Sequence, residues 1–372
     1  MKILLVRLRL IGDVVFTTPL IHALRRKFPD AHLTYVVEEL AAPVMRGNPH
    51  IDELIVVPRR SGLARLRDDW RLSRRLRRTR FDVAIDLHGG PRAAWLTRAT
   101  GAPMRIGYTI KGRSWMYTHR IPRAADLRPR HSVENQFDVL APLGIEGGSP
   151  LRDPLEMPED AAARTRVDER LRTAGITTAH DIVLVHVSAG NVFRRWPAES
   201  FASLAAGLVR SDPGRRVILI SGPSDRSAAS AIAEQARLIA GPRGHAIAAG
   251  EYDLSELRAL AGRAAVYIGT DSGPLHVAAT TGTPIVELLG PKLAEHSRPW
   301  RDPERFCEVV DAGPLPCRPC QERVCEPGDF RCLTGISVER VIAAAERATR
   351  AAAYDSGSDS LAEGKNATRH RV

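Results

Sequence analysis

Short apolar runs alternate with amphipathic segments along most of the 372-residue chain, in two successive blocks. The first block contains KILLV, LTYVVE, ELIVV and DVAIDL, and the second contains DIVLVHV, RVILIS, AVYIGT and PIVELLG. This alternation is typical of parallel β-sheets that helices cover on both faces. The sequence therefore predicts an α/β protein with two doubly wound domains, residues 1–160 and 175–350, joined by a linker within residues 145–175.

The composition agrees with two folded domains and a short tail. A chain of this length with 44% hydrophobic residues can build two separate cores. From Ala352 onwards the chain is polar and poor in large apolar residues. Such a segment buries too little surface to fold, so residues 352–372 are predicted to be a disordered tail.

A net charge of +11, mostly from arginine, indicates an anionic partner such as nucleic acid, a phosphorylated substrate or an acidic membrane surface. Ten arginines fall within residues 59–80. Helical spacing of Leu63, Leu66, Trp70 and Leu76 predicts an amphipathic helix there. Its basic face is either simply solvated or contacts an anionic membrane or lipid acceptor.

Neither a membrane span nor a secretory signal is visible in the sequence. No apolar stretch reaches the roughly 18 residues that a transmembrane helix requires. The opening MKILLVRLRL is interrupted by arginine too early for a signal-peptide core. We therefore expect a cytosolic protein, at most lying against a membrane.

A single acidic residue follows the first apolar run, in the stretch RLRLIGDVVFTTPL. A dinucleotide-binding loop has the pattern G-x-G-x-x-G, whereas this loop has only Gly12 before Asp13, which disfavours a dehydrogenase. Ligands of parallel sheets bind beyond the carboxyl ends of strands, so we expect Asp13 to face a cleft between the domains. Asp13 then either accepts a proton from a substrate hydroxyl or caps the following helix.

The stretch YIGTDSGPLHVAATTGTPIVELLGP predicts a strand, a tight turn and a helix. Asp271 or Ser272 suits the N-cap of this helix, and Pro274 suits its first turn. The amides of Ser272 and Gly273 would lie at a positive helix end that favours a diphosphate, and His276 would add a donor. The alternative is that these residues serve only capping and packing.

A second helix entry lies in HVSAGNVFRRWPAESF, where a small-residue loop follows a buried strand. Ser188 and Asn191 of this loop are candidate ligand contacts. Arg194 and Arg195 can neutralise a leaving diphosphate. Alternatively, the arginines are surface charges next to a core Trp196.

A third strand-to-helix turn occurs in ISGPSDRSAA. Ser224 or Asp225 of this turn either reaches a ribose or base or caps the helix that follows. We count Asp225 among the candidate substrate-binding residues.

Four of the five cysteines form a C-x2-C-x4-C-x6-C pattern at Cys317, Cys320, Cys325 and Cys332. In a reducing compartment they are free thiols, a zinc site or an iron–sulfur site. The spacing matches no standard zinc module, so no metal is predicted and the four cysteines are kept only as a candidate cluster.

Several of these motifs together resemble the ADP-heptose:lipopolysaccharide heptosyltransferases, glycosyltransferase family 9. RLRLIGDVVFTTPLIHALRRKFPDAHLTYVV, DLHGGPRAAWLTRATGAPMRIGY, FRRWPAESF and DSGPLHVAATTGTPIVELLGP follow in the order and spacing of that family. The segment CRPCQERVCEPGDFRCLTGISVERV is similar to a C-terminal segment of the second-heptose type. The resemblance covers roughly residues 1–345.

The resemblance implies a GT-B fold of two Rossmann-like domains, with the acceptor on the N-terminal side and the nucleotide sugar on the C-terminal side. It implies inverting transfer without a cofactor or obligatory metal, with Asp13 as the general base. Arg194 stands where the family often has lysine, and it keeps the charge that opposes the departing diphosphate. Asp271, Ser272, Gly273 and His276 fall on the turn that holds the ADP diphosphate in the family. The other substrate-binding candidates come from the turns themselves: Ser188, Asn191, Arg195 and Asp225.

The predicted function is transfer of a heptose from ADP-heptose to a lipopolysaccharide core acceptor, at or near the inner face of the cytoplasmic membrane. One alternative is a family 9 enzyme with another nucleotide sugar or surface-glycan acceptor. Another is a non-catalytic protein that binds a nucleotide sugar or another anionic ligand. Recognition of nucleic acid is not predicted, since aromatic residues make up only 5% and no known motif is present.

Overall fold

The structure, a computed structural model, describes residues 1–122, 130–188, 194–222, 225–320 and 324–367, with side chains as far as Ala352. The chain divides into two compact units. The first unit is Met1–Pro158 with Trp300–Asp302, and the second is Glu159–Pro299 with Pro303–Val372.

The first unit is a parallel sheet with helices between its strands. In the described part its strands are β1 (Lys2–Val6), β2 (His32–Glu38), β3 (Glu53–Val57), β4 (Val83–Asp86), β5 (Met104–Tyr108) and β6 (His119–Ile121). Its α-helices there are α1 (Ile11–Val15), α2 (Thr18–Lys27), α3 (Gly62–Thr79), α4 (Pro91–Ala99) and α5 (Ser132–Phe137). Short 3₁₀ turns occupy Ala42–Val44, Ser114–Met116 and Asp138–Leu143.

The second unit repeats this plan. Its described strands are β7 (Asp181–His186), β8 (Arg215–Ser221), β9 (Ile247–Glu251), β10 (Val266–Thr270), β11 (Ile285–Leu289) and β12 (Cys307–Asp311). Its described α-helices are α6 (Ala161–Thr173), α7 (Ala198–Ser211), α8 (Arg226–Ala240), α9 (Leu254–Ala261), α10 (Gly273–Ala278), α11 (Ala294–Ser297), α12 (Arg331–Thr334) and α13 (Val338–Ala367). A 3₁₀ turn covers Gly241–Ala246.

Both sheets have the same strand order, β3-β2-β1-β4-β5-β6 and β12-β11-β10-β7-β8-β9, and every pairing is parallel. Each order reverses direction between two central strands, β1 and β4 in the first unit and β7 and β10 in the second. Ligands of doubly wound sheets bind at the carboxyl ends of these two strands. The predicted α/β class with two Rossmann-like sheets is confirmed.

Each sheet has its own apolar core. In the first unit Leu4 and Val6 of β1 are fully buried against the helices. In the second unit Trp196 and Phe201 pack edge to face at 5.1 Å within the core, and Trp196 Nε1 donates to Ile336 O. The sequence offered a core position for Trp196 as one alternative, and the structure confirms that position.

Helix α6 lies where the sequence placed part of the linker. Asp160 caps it by accepting hydrogen bonds from the amides of Ala162 and Ala163, and the helix belongs to the second unit. The last helix, α13, continues to Ala367, whereas composition predicted disorder from Ala352. Alanines at positions 351–353 have the highest helix propensity and extend the helix at this point.

The predicted apolar stripe of α3 is wrong in detail. The buried positions are Asp69, Leu72 and Leu76, whereas three predicted stripe residues are exposed: Leu63, Leu66 and Trp70. Burial of Asp69 is possible because Arg92 of α4 forms an ion pair with it at 2.7 Å. The sequence pattern could not reveal this pairing, since the partner lies on another helix.

Among the described helices, none combines the length and apolar composition that a membrane span requires.

Candidate active site

Asp13 lies in α1, just beyond the carboxyl end of β1. Its side chain is about one-third exposed and forms an ion pair with the guanidinium of Arg7. Arg7 is itself buried and also donates to Leu87 O, beyond the end of β4. The N-cap of α1 is Leu10, so Asp13 does not take the capping position that the sequence left open. The carboxylate is thus held at the switch point of the first sheet.

A turn after β4 places a histidine among these charges. Asp86 is fully buried and accepts hydrogen bonds from His88 N at 2.8 Å, Gly89 N at 2.7 Å and Tyr117 Oη at 2.6 Å. Burial, together with the positive charges of Arg7 and Arg9, lowers the pKa of His88 to about 4 against the opposing charge of Asp13. His88 is therefore a neutral imidazole at pH 7.

Asp271 follows β10 and gathers three potential cations at the switch point of the second sheet. Arg194 Nη1 lies 3.2 Å and Lys292 Nζ 3.4 Å from Asp271 Oδ2, and His276 Nε2 lies 3.6 Å from Oδ1. Burial alone would raise the pKa of Asp271, but its hydrogen bond to His276 and the charges of Lys292 and Arg194 hold it well below its usual range. The carboxylate is therefore ionised and positions the cations.

Ser272 and Gly273 form the turn into α10, as predicted. Ser272 occupies the N-cap position, and among the described residues its buried hydroxyl has no hydrogen-bond partner. The side chain of His276 is 4% exposed, and its Nε2 faces Asp271. Its contact with a diphosphate stays a prediction.

The other predicted residues fall into a second ion pair and a loop anchor. Arg195 Nη2 lies 2.9 Å from Asp225 Oδ1, which joins the turns before α7 and α8. Ser188 Oγ accepts from Gly222 N at 3.1 Å and contacts His186 Nε2 at 3.2 Å. Asn191 and Ser224 lie outside the described residues. The candidates that follow β7, β8 and β10 therefore lie at the carboxyl ends of adjacent strands of the second sheet.

Comparison with known proteins decides the family. Residues 69–329 match the profile of glycosyltransferase family 9 (heptosyltransferase). The chain belongs to glycosyltransferase family 9. It is therefore a glycosyltransferase, and the predicted GT-B fold class is confirmed.

Relatives of this family 9 glycosyltransferase match most of its length. Lipopolysaccharide heptosyltransferase 3 of Escherichia coli is 29% identical over 79% of this chain and 84% of its own. Lipooligosaccharide heptosyltransferase 2 of Haemophilus ducreyi is 24% identical over 92% and 97%. A solved family 9 glycosyltransferase from Veillonella parvula has a TM-score of 0.78 at 27% identity, covering 94% of this chain and 97% of that one.

Several side chains at these sites escaped sequence reasoning. Lys292 follows the GP pair after β11, and its charge gave no separate motif. Arg7 and His88 lay inside stretches quoted for the family, but nothing in a linear pattern showed that Arg7 pairs with Asp13 or that the charge of Asp13 acts on His88. Glu287 looked like an ordinary strand residue.

Glu287 is a fully buried carboxyl in the middle of β11, opposite Gly269 of β10 and Val309 of β12. Among the described residues neither of its oxygens has a hydrogen-bond partner. Burial raises the pKa of Glu287 well above its usual value, and the nearby charge of Asp271 raises it further, against the opposing charges of Lys292 and Arg298. Its environment therefore favours the neutral form of this carboxyl in the folded protein.

Glu287→Met is expected to stabilise this glycosyltransferase at alkaline pH. The unfolded carboxyl ionises near 4.5, whereas the folded one stays protonated to higher pH. The contribution of the Glu287 titration to wild-type stability is therefore fully present below about pH 4.5, and it is lost as the pH rises through the folded pKa. Removing the unsatisfied group is expected to raise the free energy of unfolding by about 1–3 kcal/mol at pH 8.

Urea unfolding between pH 5 and 8.5 measures this difference. The variant's advantage should grow with pH, while Glu234→Met, at an exposed position on α8, should give no such trend. An advantage that is independent of pH would show that Glu287 is ionised in the folded protein.

The four candidate cysteines of this glycosyltransferase line one pocket of the second unit. No disulfide bond joins any of the five cysteines, all of which lie in the described part of the chain. Burial raises the pKa of Cys332, and the neighbouring Cys317 and Cys325 raise it further. The fold therefore brings the cluster together, while metal binding by it stays a hypothesis.

Proposed function

We propose that this family 9 glycosyltransferase transfers a heptose from ADP-heptose to a lipopolysaccharide core acceptor of the second-heptose type. The observation that carries the proposal is the group of cations that Asp271 positions beside the predicted diphosphate turn. Relatives named lipopolysaccharide heptosyltransferase and lipooligosaccharide heptosyltransferase support the sugar and the acceptor class. The choice of the second-heptose type rests on the cysteine-containing segment alone, which resembles a C-terminal segment of that type.

In the proposed mechanism Asp13 acts as the general base. Its carboxylate takes the proton of the acceptor hydroxyl as the oxygen attacks the anomeric carbon of the donor. The bond from that carbon to the diphosphate breaks, so the configuration inverts and ADP leaves with the bonding electron pair. Arg194 and Lys292 balance the charge that develops on the departing diphosphate.

Electrostatics of the second unit support binding of an anion. Two strong cations, Arg194 and Lys292, are offset by one ionised carboxylate, Asp271. A diphosphate arriving beside them would therefore meet net positive charge. Arg194 and Lys292 are each about one-third exposed, so both can turn to a ligand.

A donor and acceptor panel tests the proposal. The purified protein is incubated with ADP-heptose, other ADP-sugars and UDP-sugars, and with lipopolysaccharide cores truncated before the first, second or third heptose. Product mass should increase by one heptose only with ADP-heptose and the core that carries a single heptose. Transfer to another core would reassign the step, and turnover only with another donor would favour the alternative family member. Donor binding without turnover on any acceptor would favour a non-catalytic binding protein.

We further propose that α3 places the enzyme on an anionic membrane surface, in a cytoplasmic, peripheral location. Its exposed face carries Leu63, Leu66 and Trp70, which are 84%, 64% and 58% exposed. Arginines flank this apolar stripe, and the guanidinium of Arg74 stacks over Trp70 at 4.7 Å. Apolar side chains bordered by cations suit the boundary between headgroups and acyl chains.

The triple variant Leu63→Ser, Leu66→Ser, Trp70→Ser is expected to bind phosphatidylglycerol vesicles at least about ten-fold more weakly, since it loses the buried apolar area. Vesicle sedimentation at low and high salt measures this. Trp95→Ser, at another exposed tryptophan, serves as the control and should bind like the wild type. Unchanged binding of the triple variant would show that the apolar stripe of α3 does not contribute to membrane binding.

A further inference from the structure

Two histidines and a glutamate meet in the first unit, outside the residues assigned to transfer. His22 lies on α2, and His50 lies in the turn before β3. Glu156 lies near the end of the segment Met1–Pro158 of the first unit. His22 Nε2 and His50 Nε2 are 3.0 Å apart. They lie 3.8 Å and 3.7 Å from Glu156 Oε2. The ligand atoms of these three side chains all lie within 4.8 Å of one another, which holds for no other such group of potential metal ligands in the described residues.

We propose that His22, His50 and Glu156 bind a divalent transition-metal ion of the zinc class. Two imidazole nitrogens and one carboxylate oxygen are a ligand set that zinc takes in proteins. With bonds of about 2.0–2.1 Å and tetrahedral angles, two ligand atoms on one zinc ion lie about 3.3 Å apart. The observed separations of 3.0, 3.7 and 3.8 Å bracket that value.

Neighbouring groups hold these ligands in place. Asn48 Nδ2 donates to Glu156 Oε2 at 3.2 Å, and Thr18 Oγ1 accepts from Glu156 N at 2.9 Å. Such outer contacts orient metal ligands and sharpen their affinity. The three ligand side chains are each about one-quarter exposed, so a bound ion would keep a position open for water.

The local charges also suit a cation. The carboxylate of Glu156 lies 3.7 Å from His50 Nε2 and 3.8 Å from His22 Nε2. Neutral imidazole is the form that binds metal. Arg25 is the nearby positive charge; it donates to His50 O at 3.1 Å and is neutralised by Asp52 at 2.6 Å.

The ion would join three segments that are distant in sequence: α2, the turn before β3 and the segment around Glu156. Metal binding to the folded state alone stabilises it by mass action. The site is therefore assigned a structural role, and no step of sugar transfer passes through it. The competing interpretation is a simple hydrogen-bonded chain in which one imidazole donates to the other.

Zinc titration of the full chain separates the two interpretations. The wild type should bind one more zinc equivalent than the double variant His22→Gln, His50→Gln, and saturating zinc should raise its Tm more. Zinc held by the cysteines contributes equally to both proteins and cancels. Loss of one ligand in Glu156→Gln should weaken this binding by at least about 100-fold.

His32→Gln is the matched control, because His32 lies 3.9 Å from Glu53 and belongs to no such group in the described chain. It should bind zinc like the wild type. Cobalt in place of zinc provides a second readout. Cobalt bound by histidine and carboxylate gives visible d–d bands without the sulfur-to-cobalt charge-transfer band that cysteine ligands produce. The double variant should lose these d–d bands. Equal zinc stoichiometry and equal Tm shifts in the wild type and the double variant would overturn the proposal.

Discussion

Asp13→Asn is expected to lower kcat for heptosyl transfer by about 10²- to 10⁴-fold, the range that a positioned general base contributes. The amide cannot take the proton of the acceptor hydroxyl, yet it keeps the size of the carboxylate and an oxygen that faces Arg7. Steady-state measurement of ADP release with saturating donor and acceptor gives the change in kcat.

Donor affinity separates this role from a structural one. The residues predicted to bind the ADP-sugar lie in the second unit, so the Kd for ADP measured by calorimetry should not change in Asp13→Asn. Asp30→Asn makes the same chemical change at an exposed position between α2 and β2 and should leave both kcat and Kd intact. If Asp13→Asn kept more than a tenth of the wild-type kcat, Asp13 would not be the base.

The fold was largely predictable because hydrophobic periodicity reports it directly. Buried parallel strands are continuous apolar runs, so all the strands quoted from the sequence are present in the two sheets. The segments that carry Asp13 and Asp271 directly follow strands, so their positions need no tertiary information. Local patterns therefore located the switch points of both sheets.

Pairings between distant segments were not predictable in the same way. The buried face of α3 depends on Arg92, which neutralises Asp69 from another helix. Periodicity placed Leu63, Leu66 and Trp70 on the apolar face of α3 and could not allow for a buried ion pair. His22, His50 and Glu156 are likewise ordinary in sequence, since no local spacing relates three segments that only the fold brings together.

The roles of charged residues were the least predictable part of the site. Asp271 was expected to cap a helix or to bind the substrate. Ser272 takes the N-cap position, and Asp271 instead pairs with Arg194 and Lys292, while its contact with a substrate stays a prediction. Glu287 carries a buried carboxyl beside the same group without a hydrogen-bond partner in the described chain. Such a strained arrangement is typical of functional sites, where stability is given up for a particular electrostatic environment.

Arg194→Ala is expected to lower kcat by about 10²- to 10³-fold, or about 2.7–4 kcal/mol, the usual effect of removing one group that stabilises developing charge. Asp271 would then neutralise Lys292, and the departing diphosphate would face little net positive charge. Arg194→Lys should recover most of the activity, because the ammonium restores the charge and loses only the planar fork. Steady-state kinetics with ADP-heptose measures all three proteins.

The division between kcat and KM decides what Arg194 does. An interaction that strengthens as the diphosphate departs lowers kcat, whereas one made equally to the bound donor raises KM alone. Arg210→Ala, at an exposed arginine in the last turn of α7, controls for loss of surface charge and should change neither constant. A raised KM with unchanged kcat in Arg194→Ala would make Arg194 a donor-binding residue and transfer the leaving-group role to Lys292.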